Sequence, residues 1–241
     1  MIQSQSNAKE SCYLCRSALN ESNRTRDHVP PKGIFAKPLP DNLITVPCCQ
    51  SCNHGNHKAD EVFRSIMAMA YKRNPAGDSV WQRVVRKTIP AKRIKSEIDA
   101  ITATARRITD PEGNPCVQFI VKKRPINLQL IRLKRGLLAT VYPNIDSSNL
   151  EWEITIIHQF KVFDALMSGV TVMLPYNTRG SGDEFQFWHA IAADKPSSGL
   201  WVYLFYNSAC FTVTHRPRTA SYRKNAAVRM KRMSGKVFRM E

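Results

Sequence analysis

Residues 12–58 read CYLCRSALNESNRTRDHVPPKGIFAKPLPDNLITVPCCQSCNHGNHK, and this stretch predicts how the N-terminal part of the chain folds. It contains two Cys-x-x-Cys pairs, Cys12/Cys15 and Cys49/Cys52. Their four thiolates match the ligand set of a tetrahedral zinc ion. Such a site is closed, so we expect a structural zinc whose binding energy replaces the core that so short a segment lacks. The alternative is four buried thiols without a metal.

Seven cysteines in a chain whose N-terminus lacks a secretion signal favour metal binding over disulfides. The first residues, MIQSQSNAKES, lack the apolar core of a signal peptide, so we expect a reducing, cytoplasmic setting. Cys48 is an alternative ligand, but Cys49 keeps the two-residue spacing to Cys52 and is the better candidate. Cys116 and Cys210 lie in apolar runs and are predicted to be buried free thiols.

Polar residues between and beside the cysteine pairs suggest a catalytic site. His28 is a candidate general base that activates water for attack on phosphorus. Asp27 points to the other side of an extended chain and is a candidate ligand of a divalent cation, to which Asn53 adds a second oxygen. An open cation of this kind would stabilise a leaving oxygen. Alone, an Asp-His pair is more typical of a surface loop.

The charge of the chain predicts a polyanionic partner. The 241 residues have a formal net charge of +17. No apolar run approaches the roughly 20 residues of a membrane-spanning helix, so nucleic acid is favoured over a membrane. Basic residues are dense at 79–108 and in the tail, 216–241, which is predicted to be a disordered arm or a helix on nucleic acid. The candidate phosphate contacts are Lys32, Lys58, Arg83, Arg86, Lys87 and Arg93, and the alternative for the run at 79–108 is a solvated helix face.

The apolar pattern predicts an α+β protein. We expect a helix at 57–73 that is broken at 74–78, one or two helices across 79–108, and a helix at 128–142. Residues 160–168 are predicted to form either a helix or a strand. Residues 43–46 form a predicted strand that ends at Pro47, and later strands are expected at 117–121, 152–156, 185–191, 200–206 and 211–214. The turn cluster at 110–115 is the best candidate boundary. The predicted parts are an N-terminal zinc module (1–75), a basic helical region (76–110), an α+β part with a mainly antiparallel sheet (111–215) and a basic tail (216–241).

Residues 12–58 resemble the HNH (His-Me finger) nucleases of the zinc-bearing kind. The shared pattern is Cys12/Cys15, Asp27-His28 with Pro30, Asn42-Leu43, Cys49/Cys52 and Asn53. The interval from Asn42 to Cys49 is two residues longer than the commonest form. His57 lies one helical turn beyond Asn53 and is an alternative metal ligand.

This resemblance implies a ββα-metal module, a β-hairpin followed by a helix, that grips one Mg²⁺ or Mn²⁺ ion. It implies His28 as the base, Asp27 and Asn53 as metal ligands, and Asn42 as the residue that fixes the loop presenting His28. For residues beyond about 75 it implies no role.

The sequence thus predicts a metal-dependent endonuclease that acts on nucleic acid, with DNA as the first candidate and a nucleoid or a phage as possible settings. One base and one cation would nick one strand, and a homodimer would be needed to cut both. The alternatives are a zinc-stabilised nucleic-acid-binding protein without catalysis and an RNase-type toxin.

Overall fold

The computed structural model describes residues 10–70, 72–84, 87, 94–110, 112–157, 160–173, 176–179, 184–218 and 237–240. The predicted contacts Arg86 and Arg93 lie outside these residues. Within them, helices and strands are mixed, as the apolar pattern predicts. None of the helices in these ranges combines the length and the apolar character that a membrane crossing requires.

A two-stranded hairpin forms the N-terminal part. Strand β1 (Arg24–His28) pairs antiparallel with β2 (Thr45–Cys49), so that His28 lies opposite Thr45 and Asp27 opposite Val46. The predicted end of the second strand at Pro47 was wrong, because Pro47 lies inside β2 opposite Arg26. A two-stranded ribbon has an unpaired edge on each strand, where a residue without an N–H is tolerated.

Two helices follow the hairpin, α1 (Gln50–His54) and α2 (His57–Ala68). Helix α2 buries the predicted apolar face, including Val62, Phe63 and Ile66, but it ends five residues before the predicted 73. The next helix, α3 (Pro75–Arg83), starts where a break was predicted. The Asn74 side chain accepts a hydrogen bond from the Gly77 backbone N–H, and Pro75 takes the first helical position, so this cluster is a helix start.

The middle of the chain forms α4 (Lys95–Thr102), β3 (Arg106–Thr109) and β4 (Pro115–Lys122). Helix was predicted through residue 108, and that part was wrong because β3 pairs with β4. The candidate boundary at 110 falls in the turn of this hairpin, where Gly113 has a φ of 88°. Strand β10 (Val237–Met240) pairs with the other edge of β4, so the last part of the basic tail is neither a disordered arm nor a helix.

Helix α5 (Lys123–Val141) lies between the hairpin and the C-terminal sheet. It buries Leu130, Leu133 and Leu137 at helical spacing. The chain then forms β5 (Leu150–Ile157) and α6 (Phe160–Met173), which decides the open choice at 160–168 in favour of a helix. The remaining strands are β6 (Tyr176–Arg179), β7 (Phe185–Ile191), β8 (Gly199–Phe205) and β9 (Ala209–Pro217).

The C-terminal sheet is antiparallel, as predicted, with the order β5-β9-β8-β7-β6. Its inner face shares one hydrophobic core with the hairpin, α2 and α5. Helix α5 also packs closely against the end of the first hairpin strand. A Cβ placed on Gly136 of α5 would come within 2.5 Å of the Val29 side chain, which directly follows His28. The glycine therefore allows α5 to approach the end of β1. The predicted division of the chain into four parts stays a prediction.

Candidate metal centre and hairpin site

The four cysteines of the two pairs come together. Cys12 and Cys15 belong to a tight turn in which the Cys12 backbone N–H donates to the Ser17 carbonyl at 2.9 Å. Cys49 ends β2 and Cys52 lies on α1. All four Sγ atoms lie within 4.8 Å of one another. Four soft sulfur donors at this spacing fit a tetrahedral zinc ion, so the predicted zinc-binding cluster is present in the fold.

Serine hydroxyls favour the thiolate form of two of the four cysteines, whereas burial raises the pKa of Cys52. The Ser51 hydroxyl lies 3.2 Å from Cys49 Sγ, and this contact is the main cause that lowers the pKa of Cys49 to about 6. The Ser17 hydroxyl, 3.1 Å from Cys15 Sγ, likewise lowers the pKa of Cys15. Because only the thiolate binds zinc, these two positions are prepared for the metal near neutral pH.

The other cysteines behave as predicted. Cys48 is fully buried, and burial raises the pKa of its thiol. Its Sγ lies 3.8 Å from Cys12 Sγ, but it is not one of the four clustered sulfurs. Cys116 and Cys210 are buried free thiols.

His28 is the last residue of β1 and is partly buried. Desolvation by burial lowers the pKa of its imidazole, the positive charges of Lys32 and Arg26 lower it further, and Asp27 opposes the shift. The ring is therefore largely neutral at pH 7 and able to accept a proton. Within the described ranges no side chain or carbonyl hydrogen-bonds to this ring.

Asp27 lies on the inner face of β1 and is only 4% exposed. The Arg132 guanidinium of α5 donates to both carboxylate oxygens, from Nη2 to Oδ1 and Oδ2 at 2.6 Å each and from Nε to Oδ2 at 3.0 Å. The Tyr13 hydroxyl donates to Oδ2 at 2.6 Å. Arg132 also forms an ion pair with Asp60 of α2, whose pKa is raised to about 6 mainly by burial.

These contacts decide how well Asp27 and Asn53 fit a divalent cation. Both Asp27 oxygens already accept hydrogen bonds in the interior. The Asn53 amide donates from Nδ2 to the Thr25 hydroxyl at 3.1 Å and to the Arg26 carbonyl at 3.3 Å, which fastens α1 to β1. The Asn53 bonds use the amide nitrogen and not the oxygen, so the fit is decided at Asp27. Because both Asp27 oxygens are engaged, the structure does not present Asp27 and Asn53 as a pair of open oxygen ligands, and the cation implied by the resemblance does not fit them in this arrangement.

The other two predicted site residues, Asn42 and His57, are exposed. Asn42 is exposed in the turn before β2. His57, the alternative ligand, is exposed at the start of α2 and stacks on His54 with 5.4 Å between ring centroids. Neither side chain is brought to the Asp27 carboxylate by a contact among the described residues.

The candidate phosphate contacts differ in exposure and in whether they already have a partner. Lys32 and Lys87 are exposed. Lys58 pairs with Glu97 at 2.7 Å. Arg83 is turned inward, and its Nη2 donates to the carbonyls of Gly33 and Phe35 at 2.8 Å and 3.1 Å, so its observed contacts support the loop after His28.

Sequence reasoning missed Arg132, Tyr13, Asp60 and Arg26. Arg132 is buried on α5, although its neighbours in the sequence are typical of a solvated basic helix. Nothing near it in the sequence points to Asp27, its acidic partner more than one hundred positions earlier. Arg26 was overlooked although alternation along β1 puts it on the same face as His28.

Comparisons of this chain with models of protein families, with curated proteins and with solved structures found no match.

Proposed function

We propose that the chain is a zinc-stabilised endonuclease of the HNH type that hydrolyses phosphodiester bonds in nucleic acid, with DNA as the first substrate. The observation that supports it is the position of His28. A largely neutral, partly exposed imidazole ends a β-hairpin that a four-cysteine cluster joins to the following helix. The exposed Arg26 and Lys32 add positive charge next to the ring.

In the proposed reaction His28 removes a proton from a water molecule. The water oxygen forms a bond to phosphorus, the bond from phosphorus to the leaving oxygen breaks, and the leaving oxygen takes a proton from solvent. The imidazolium then returns its proton to water. The zinc would bind Cys12, Cys15, Cys49 and Cys52, and it would hold the hairpin and α1 together without touching substrate.

The remaining residues hold the elements of the site in place or bind the nucleic acid. Asp27 fixes β1 to α5 through Arg132, and Asn53 fixes α1 to β1. The excess of basic side chains supplies salt-sensitive, sequence-independent affinity for a polyanion. No step is assigned to a second cation, because the Asp27 oxygens are already engaged.

The test is a plasmid assay with the zinc-loaded full chain. Supercoiled DNA should be converted to nicked circles, and an RNA transcript digested in parallel compares the two substrates. His28→Ala should abolish cleavage while DNA binding survives. Equal cleavage by wild type and His28→Ala would rule out His28 as the base.

A second candidate function is nucleic-acid binding without catalysis. The engagement of Asp27 by Arg132 favours it, since a site lacking its acidic ligand is a weaker catalyst if the reaction depends on a cation. This candidate predicts DNA binding by wild type with no cleavage of DNA or RNA under any metal condition.

A further inference from the structure

We propose that Arg26 and Lys32, and not a divalent cation held by Asp27, bind the scissile phosphate beside His28. This inference rests on the proposed function and specifies which side chains bind the negatively charged phosphate of the substrate. It assigns Asp27 a structural task, to anchor β1 on α5.

The outward face of β1 carries basic side chains beside His28. Along the strand, exposed Arg24, exposed Arg26 and partly buried His28 alternate with Thr25 and Asp27. Residues two apart lie on the same face of a strand, about 6.5–7 Å from each other. Arg26 is therefore the nearest cation to His28 on the outward face of β1.

Thr45 fixes the direction of the Arg26 side chain. It lies directly across from His28 in the hairpin, and its hydroxyl accepts a hydrogen bond from Arg26 Nε at 3.0 Å. This contact draws the guanidinium along the strand toward the cross-strand pair of His28 and Thr45. A guanidinium has five N–H donors, so four remain on the two terminal nitrogens.

Lys32 supplies a second cation from the segment that follows His28, close enough for its charge to act on the ring. It is exposed at the start of the 3-10 helix Lys32–Ile34, four residues after the ring. Among the described residues neither Lys32 nor Arg26 has an acidic partner. Arg24 differs, because its guanidinium pairs with Glu10 at 2.8 Å.

Asp27 is held by Arg132 and is not free to bind a cation. Freeing its carboxylate for a cation would break the hydrogen bonds that the buried Arg132 guanidinium donates to it and leave Asp60 as the only acidic partner of Arg132 among the described residues. Such a loss is unfavourable in the interior, where a buried charge needs its partners. A phosphodiester carries one negative charge and gains a second as water attacks it. Two cations placed at the oxygens would match that charge without a metal.

Binding tests the two contacts independently of cleavage. The probe is a short fluorescein-labelled DNA duplex, and each variant is made in a His28→Ala background and measured by anisotropy over a series of KCl concentrations. Arg26→Gln and Lys32→Gln should each weaken binding about tenfold and reduce the slope of log K against log salt by about 1. The matched controls are Arg24→Gln and Lys37→Gln, both at exposed positions. Unchanged slopes in correctly folded Arg26 and Lys32 variants would overturn the proposal.

Cleavage tests the cation. Wild-type protein is assayed with EDTA while its zinc content is measured. Cleavage should continue as long as zinc is retained, and a rate that falls with zinc loss should recover on adding zinc alone. Loss of cleavage with zinc retained, restored by Mg²⁺ or Mn²⁺, would overturn the proposal. If wild type cleaves under no condition, the proposed function fails, and the phosphate contacts are then decided by the binding series.

Discussion

The guanidinium of Arg132 holds both carboxylate oxygens of Asp27, with Nη2 2.6 Å from each. The two side chains are 7% and 5% exposed. Their ion pair joins α5, which contacts the C-terminal sheet, to the strand that ends at His28. The C-terminal part of the chain therefore helps to position the hairpin, a role that the N-terminal stretch alone could not reveal.

This ion pair should contribute strongly to stability. Arg132→Met leaves the Asp27 carboxylate buried without its cation, and we expect a loss of about 3–5 kcal/mol in the free energy of unfolding, measured with urea. The control is Arg124→Met, at an exposed position of the same helix, which should change stability by less than about 0.5 kcal/mol. Similar effects of the two substitutions would contradict the structural task given to Asp27.

The choice of zinc ligands can be tested at two adjacent cysteines. Cys49→Ala should abolish stoichiometric zinc binding and lower the melting temperature, because it removes one of the four clustered sulfurs. Cys48→Ala, next in the chain and buried outside the cluster, should keep one zinc per chain. Metal analysis of the purified variants distinguishes them, and zinc retention by Cys49→Ala with loss in Cys48→Ala would reverse the assignment.

Lys134 makes stability depend on pH. Its side chain is fully buried against Trp152, Nζ donates to the Val213 carbonyl at 2.8 Å, and burial lowers its pKa from 10.5 to about 6. Between pH 6 and pH 10.5, the two pKa values, the unfolded chain binds a proton that the folded chain lacks. This group therefore makes the free energy of unfolding rise with pH over that window. Lys134→Met should be more stable at pH 7 and should flatten the rise, as measured by urea unfolding from pH 6 to 9. An equally steep rise in the variant would contradict burial of a neutral amine.

Gly136 tests the approach of α5 to the residue after His28. Its Cβ would meet the Val29 side chain at 2.5 Å, so Gly136→Ala should cost about 1–3 kcal/mol, and the added substitution Val29→Ala should relieve part of that cost. Gly169 is a matched control in α6, because a Cβ there meets nothing within 4 Å. Gly169→Ala should stabilise by about 0.5–1 kcal/mol. A neutral Gly136→Ala would contradict the close packing.

The sequence predicted what depends on local spacing. Four thiolates at Cys-x-x-Cys spacing identified the metal cluster, because a tetrahedral ion constrains its ligands in the same way in any fold. The apolar period located α5 and the alternation located β5. Asn74-Pro75 predicts a break but starts a helix in the structure, because the cap at the start of a helix and a turn use the same residues.

What the sequence did not predict depends on contacts between distant parts of the chain. Arg132 and Lys134 look like members of a solvated basic helix, and only the packing of α5 between hairpin and sheet shows that both are buried. The same packing takes Asp27 away from a cation. Thus the residues of the candidate site were predicted in part, whereas their division into structural and reactive tasks required the three-dimensional arrangement.

Whether His28 acts as the base of a phosphodiester hydrolase can be measured by the nicking of supercoiled plasmid with wild type and His28→Ala. His54→Ala is the matched control, since this histidine is exposed on α1. We expect nicking by wild type and His54→Ala and none by His28→Ala, with all three proteins folded, loaded with zinc and binding DNA. Nicking by His28→Ala at the wild-type rate would contradict it.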